Sequence, residues 1–156
     1  MTIMLAVDGI DATGKTTVLN ALRTRAPNVQ LVGEFSNTEL GDLIRSLVSR
    51  RRFFDLARSG DQAIAAAESF LILSDTLAKF ESVAQESKAS AVVFERGFLS
   101  VLGYQLIRLR NRDSLRLANV FQRTVLAAVS RLRESEGFQY IEVLLTAPIN
   151  IVAQRV

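Results

Sequence analysis

Four residues at one spacing define the chemistry open to this chain: Gly9, Gly14, Lys15 and Thr16 stand in the pattern G-x-x-x-x-G-K-T. The two glycines let the backbone turn sharply, so that successive N–H groups point at phosphate oxygens where a side chain would intrude. Lys15 brings a point charge to the β- and γ-phosphates of a nucleotide, and the Thr16 hydroxyl suits a Mg²⁺ ion bridging them. Gly9, Ile10, Asp11, Ala12, Thr13, Gly14, Lys15, Thr16 and Thr17 are therefore the expected ATP-binding loop, with Mg²⁺ as the accompanying ion.

Such a loop works only between a buried strand and a helix. The apolar run Ile3 to Val7 supplies the strand, and Val18, Leu19 and Leu22 supply the apolar repeat of a helix opening at Lys15. That helix aims its positive end at the same phosphates. Downstream, Val29 to Val32 reads as a second strand ending at Gly33-Glu34. Ser36-Asn37-Thr38 offers caps for a helix carrying Leu40, Leu43, Ile44, Leu47 and Val48, which runs into Arg50 to Arg52. A polar break at Ser59-Gly60-Asp61 introduces one long, largely buried helix from about Gln62 to Ser87.

Ala91 to Phe94 is a third strand, with Glu95-Arg96-Gly97 at its carboxyl end. Helices are expected over about Leu99 to Arg108 and Asp113 to Glu134, then a fourth strand over Tyr140 to Leu145, with Pro148 in the first turn of a last helix. Strands alternating with helices imply a parallel sheet, here a three-layer α/β fold in a single domain spanning residues 1–156, with about four strands visible. Ligands of such sheets bind beyond the carboxyl ends of the strands. Those ends carry Gly9 to Thr16, Glu34, Glu95-Arg96 and Thr146.

Composition narrows the chemistry further. Neither cysteine nor histidine occurs, so thiol catalysis, imidazole bases and Cys/His zinc sites are excluded, and the absence of cysteine fits a reducing cytoplasm. The first apolar run ends at Asp8, so neither a signal peptide nor a membrane span is expected. The net charge of +3 rests on arginine, with a run at Arg50 to Arg52 and a spread over Arg108, Arg110, Arg112 and Arg116. Aromatic residues do not interleave these arginines, so a nucleic-acid surface is not expected. Catalysis must come from carboxylates, lysine, arginine, hydroxyls and an oxygen-bound metal.

Three further segments resemble the thymidylate kinase family of nucleoside monophosphate kinases. VGEFSNTELGDLIR, Val32 to Arg45, is similar to that family's R-E-P-G-G-T-x-L-G-x-x-I-R, with Glu34, Thr38, Leu40, Gly41, Ile44 and Arg45 in register. VVFERGFLSVLGYQ, Val92 to Gln105, resembles V-V-S-D-R-Y-x-x-S-S-x-A-Y-Q, and LLTAPINIVAQRV, Leu144 to Val156, resembles L-D-V-P-P-E-x-A-L-x-R. The resemblance implies transfer of the ATP γ-phosphate to a nucleoside 5′-monophosphate, dTMP or a related pyrimidine. It assigns Lys15 and Arg96 to catalysis and Thr16 and Glu95 to the metal. Acceptor binding falls to Asp11, Glu34, Arg45, Ile72, Arg96, Ser100 and Gln105, with Asp11 reaching the sugar hydroxyl and Gln105 the base.

The chain departs from the family at Gly33 and Thr76, where arginines are usual, at Ile72, where an aromatic ring is usual, and at Gly97 in place of tyrosine. Family members continue past the position of Val156 with an arginine-rich lid, a fifth strand and an adenine-contacting loop, so the chain reads as truncated before the lid, with Arg155 where the lid would start. Two alternatives stay open. The Glu95-Arg96 pair also resembles the E-R-S motif of deoxynucleoside kinases, whose general base sits where Glu34 does. A catalytically silent nucleotide-binding module is the other, and the helix from Gln62 to Ser87 is a candidate homodimer surface.

Overall fold

A computed structural model describes residues 1–49, 62–109 and 115–155. Four strands and six helices occur among them: β1 (Thr2–Asp8), α1 (Lys15–Arg25), β2 (Val29–Val32), α2 (Glu39–Ser49), α3 (Gln62–Glu86), β3 (Ala91–Glu95), α4 (Phe98–Leu109), α5 (Leu115–Glu134), β4 (Phe138–Leu144) and α6 (Ile149–Arg155). The strands form one parallel sheet in the order β2-β3-β1-β4. The α/β class, the parallel sheet and the alternation of elements are those expected from sequence.

Burial explains the strand sequences. β1 lies between β3 and β4, with Leu5 opposite both Val93 and Ile141, and its residues Met4, Ala6 and Val7 are buried. A strand covered on both sides reads as a continuous apolar run, as Ile3 to Val7 does. Among the described residues β4 pairs on one side only, and Gln139, Ile141, Val143 and Leu144 are exposed along it. It starts at Phe138, two residues before the expected Tyr140, because Thr2 and Ile3 pair with Phe138 and Gln139. Gly137, at φ 89°, makes the turn that leads into it.

The chain divides into two compact units. The first holds Met1–Glu34, Ser87–Ser100 and the chain from Leu132 onward, and hence the sheet, α1 and α6. Within it, Leu19 and Leu22 of α1 close a cluster with Val7, Val93, Leu5, Val29, Leu31 and Leu145. Burying a leucine such as Leu19 contributes about 1.5–3 kcal/mol. This contact holds α1 against the strands and aims its first turn at the loop.

The second unit holds Phe35–Glu86 and Val101–Arg131. Its apolar residues Ile44, Leu73, Phe80, Leu109, Phe121 and Val125 are buried, and Phe70 meets Phe121 edge to face, with centroids 5.3 Å apart. α3 is as long as expected, but its buried positions are not all apolar: Glu68, Ser69, Asp75, Thr76 and Lys79 are buried beside Leu73 and Phe80. The arginine run 50–52, the break at 59–61, Arg110, Arg112 and the first residues of the expected helix 113–134 lie outside the described residues. Among the described residues no helix is long and apolar enough to cross a membrane.

Candidate active site

The glycine loop is shaped by close approach as well as by conformation. Gly9 has φ 147°, and a Cβ there would lie 2.6 Å from the Leu145 carbonyl oxygen and 2.9 Å from Thr13 Oγ1. Ala12 at φ 64° and Gly14 at φ 98° then turn the chain into α1. The Gly14 cap makes no side-chain hydrogen bond, which leaves the first N–H groups of α1 to an anion.

Lys15 is buried, and its ammonium donates to the carbonyls of Gly9 at 2.9 Å and Ile10 at 2.8 Å. Burial, reinforced by the nearby Arg96 charge, lowers its pKa below the usual 10.5, against the opposing pull of Asp11, Glu34 and Glu95. Phosphate binds the protonated form. As pH rises through the lowered pKa, binding must take up a proton, so triphosphate affinity falls by up to about tenfold per pH unit. Calorimetric titrations across the alkaline range should show this decline in the native chain and a flatter profile in Lys15→Arg, whose side chain stays charged. Equal slopes in both proteins would assign the titration to another group.

The carboxyl ends of the strands bring further polar groups to the loop. The Thr16 hydroxyl donates to Glu95 Oε1 at 3.1 Å. Arg96, in the left-handed region at φ 64°, directs Nη2 to Asp11 Oδ1 at 2.5 Å, and its Nε lies 2.8 Å from Glu34 Oε1. A non-glycine residue held at positive φ costs of order 1 kcal/mol, and such conformations gather at functional sites. Residues Asp11 to Val18, Glu34, Glu95 and Arg96 line a cavity of ≈ 630 Å³, together with Arg155 from α6.

A magnesium ion suits the donors here. Thr16 and Glu95 place two hard oxygens within hydrogen-bond reach of each other at the wall of this cavity. Mg²⁺ commonly takes one or two protein oxygens and completes its shell with phosphates and water. No group of three or more Asp, Glu, His or Cys poised for a metal occurs among the described residues.

Behind the loop lies a buried cluster that spacing alone does not reveal. Asp8, fully buried at the end of β1, accepts through Oδ1 from the backbone N–H groups of Gly97 at 2.9 Å and Ser100 at 2.8 Å. Glu142 Oε1 accepts from Leu99 N at 3.0 Å and from the Tyr140 hydroxyl at 2.6 Å. Two carboxylates from β1 and β4 thus satisfy the first turn of α4 and fix where it begins. Burial first, and the hydrogen bond to Glu142 second, push the Tyr140 pKa far up, so it stays a donor. Gly97 is confined here too: a Cβ would lie 2.5 Å from that of Ala6 and 3.0 Å from the Tyr140 hydroxyl. Ser100, expected at the acceptor, is buried in this turn. The polar Asp8 closing an apolar strand was the one sequence signal for the cluster.

The remaining expected acceptor residues belong to the second unit. Arg45 is exposed on α2, donating from Nη1 to Asp42 Oδ1 at 2.5 Å and from Nη2 to the Ser36 carbonyl at 3.0 Å. Ser36 is itself held by the buried Asp75, which accepts from its N–H at 3.1 Å and from its hydroxyl at 2.5 Å. Gly41 allows this packing, since a Cβ would fall 2.1 Å from the Ser36 carbonyl oxygen. Ile72 is half-buried on α3, and the Thr76 hydroxyl bonds back to the Ile72 carbonyl at 2.9 Å. Gln105 is buried, and its Oε1 accepts from Ser69 Oγ at 3.2 Å and from Arg108 Nη1 at 3.0 Å. Arg108 also pairs with the buried Glu68. These bonds orient the Gln105 amide, directing its carbonyl oxygen into the unit.

The family of the chain is shown by comparison with known proteins. A family model described as thymidylate kinase matches residues 7–127. The chain is 32% identical over 100 residues to the thymidylate kinase of Aliarcobacter butzleri, covering 64% of this chain and 48% of the relative. It is 29% identical over 119 residues to that of Campylobacter hominis, covering 76% of this chain and 57% of the relative. The chain thus spans about half the length of the curated relatives it matches. In three dimensions it superimposes on the thymidylate kinase of Ehrlichia chaffeensis with a TM-score of 0.61 at 17% identity, over 99% of this chain and 81% of that one. Because the family match begins at the end of β1 and takes in the loop, Glu34, Glu95, Arg96 and Gln105, the chain belongs to the thymidylate kinase family.

Proposed function

We propose that the chain transfers the γ-phosphoryl group of Mg·ATP to a nucleoside 5′-monophosphate, with dTMP or a related pyrimidine nucleotide as acceptor. The observation that carries this reading is the loop cavity, where the side-chain-free cap of α1, Lys15, the Thr16–Glu95 oxygen pair and Arg96 line one space. In the proposed reaction the loop N–H groups and Lys15 hold the β- and γ-phosphates and neutralise charge that shifts toward the leaving oxygen. Thr16 and Glu95 would hold Mg²⁺, which when bound would supply positive charge that screens the phosphates. Arg96, kept in place by Asp11 and Glu34, orients the incoming phosphate oxygen. The second unit carries the proposed acceptor contacts Arg45, Ile72 and Gln105. No strong base is needed, because a phosphate oxygen is already a competent nucleophile.

One observation favours a second reading, a hydroxyl acceptor. Arg96 meets carboxylates at both Nη2 and Nε, which lowers its attraction for a dianionic phosphate, and Glu34 lines the cavity where a base for an alcohol would act. ADP formation with Mg·ATP, measured against a panel of nucleosides and nucleoside monophosphates, separates the two. Turnover confined to monophosphates, with dTMP preferred, is the expected result. Turnover confined to nucleosides would replace the first reading with the second, and ATP binding without acceptor-dependent turnover would defeat both.

A further inference from the structure

Asp8 is fully buried at the end of β1, and the proposed phosphoryl transfer makes no use of it. Its Oδ1 accepts from the N–H groups of Gly97 and Ser100, while Oδ2 has no hydrogen-bond partner among the described residues. Burying a carboxylate is costly, so one retained for two backbone bonds points to what those bonds hold. What they hold is the turn at Arg96. The Arg96 N–H donates to the Val7 carbonyl at 3.0 Å, and the next N–H along the chain, that of Gly97, donates to Asp8 Oδ1 at 2.9 Å. Consecutive residues of β1 thus fasten the chain on either side of Arg96, which sits between the two bonds at φ 64°. A left-handed non-glycine residue persists only where its surroundings over-determine it. Asp8 also leads into the loop, but there it acts through its backbone: its carbonyl accepts from the Leu145 N–H at 2.8 Å, and Gly9 follows.

We propose that Asp8 is a positioning residue for Arg96: through the Gly97 N–H it fixes the left-handed turn that delivers the Arg96 guanidinium to the loop cavity. Asp11 and Glu34, which pair with that guanidinium, are exposed side chains, and pairing at the tip leaves the backbone turn to be set from beneath. Where that turn stands matters, because misplacing a reacting group by about 1 Å costs on the order of a hundredfold in rate. The proposal rests on the assignment of Arg96 to phosphoryl transfer. It goes beyond that assignment by tracing the orientation of Arg96 to a buried residue that contacts neither nucleotide nor acceptor.

The test is a double-mutant cycle on kcat/KM, measured as ADP release from Mg·ATP with dTMP as acceptor, on the full chain, Asp8→Ala, Arg96→Ala and the double variant. Arg96→Ala is expected to lower kcat/KM by about a hundredfold and Asp8→Ala by about thirtyfold. In the double variant the Asp8 substitution is expected to add less than about threefold, because residues that act as a unit do not add. A further loss of the same size as in the single variant would show that Asp8 does not act through Arg96, and overturns the proposal, as does undiminished turnover in Asp8→Ala. Calorimetric binding of Mg·ATP is the second readout. Asp8→Ala is expected to keep most of that affinity, since the backbone carbonyl at position 8 still accepts from Leu145; a loss matching that in kcat/KM would place the defect in the loop and overturn the proposal. Thermal melts set the temperature at which each variant is folded. Where Asp8→Ala does not fold, Asp8→Asn takes its place: an amide oxygen accepts more weakly than a carboxylate, and a loss of about threefold confined to proteins that retain Arg96 is expected. The same loss without Arg96, or no loss, overturns the proposal. Failure of the underlying reading looks different: parental turnover in Arg96→Ala would remove Arg96 from the reaction and Asp8 with it, and parental turnover in Lys15→Ala would defeat the reading of the loop itself.

Discussion

Lys15→Ala is expected to lower acceptor-dependent ATP turnover by at least about a hundredfold while the chain remains folded. Removing one preorganised donor from a site of developing charge typically costs about 10²- to 10³-fold, and here the donor is a full charge beside the phosphates. The side chain is not part of the apolar core that joins α1 to the sheet; that contact is made by Leu19 and Leu22. Its present partners are the carbonyls of Gly9 and Ile10, in a loop that lines an open cavity where water can replace it. The measurement is initial-rate ADP release with Mg·ATP at saturating acceptor, paired with a thermal melt. A variant that melts like the parent and turns over at an undiminished rate would place phosphoryl transfer somewhere other than this loop.

The second large effect is on stability and lies in the second unit. Glu68 and Arg108 pair with side chains only 7% and 17% exposed. Removing one partner of such a pair leaves a poorly solvated charge, and Glu68→Ala is expected to cost about 3 kcal/mol, near the lower end of the range for buried pairs because Arg108 keeps some contact with water. The double variant Glu68→Leu with Arg108→Met replaces both charges with apolar groups of similar size. It is expected to recover much of the loss, since the attraction within a buried pair does little more than offset its desolvation. Urea denaturation of Glu68→Leu, Arg108→Met and the double variant closes the cycle, with Glu68→Ala measured beside them. A Glu68→Ala loss under about 0.5 kcal/mol, the level of exposed pairs, would show that the pair is solvated. Arg108 also donates to Gln105, so this pair contributes to how the Gln105 amide is held.

Much of the architecture could be read before any coordinates. β2 is Val29–Val32 as expected, and α1 opens at Lys15 because Gly14 ends the loop in a conformation that favours glycine. Where boundaries moved, pairing moved them: β4 begins at Phe138 since β1 offers Thr2 and Ile3 as partners. The start of α4 was displaced by one residue, to Phe98, and is set by Asp8 and Glu142 from two separate strands. Local propensity contains no information about a cap supplied from 89 or 43 residues away.

The chemistry divides in the same way. Residue types and their order set the expectation that Gly9 to Thr17 hold phosphate and closed imidazole and thiol mechanisms to this chain, because these follow from which groups exist and from a turn made by neighbours. The alternation of strands and helices further put Glu34, Glu95 and Arg96 at strand ends on the loop's side of the sheet. Only tertiary structure decided the partners: that Arg96 is held by Asp11 and Glu34, that Arg155 reaches Ala12, and that the long α3 buries Glu68 and Asp75 along with its leucines. Charge pairing acts over a few ångströms between residues far apart in the chain. Which charges meet is therefore settled by how the elements pack, and periodicity along the sequence does not record it.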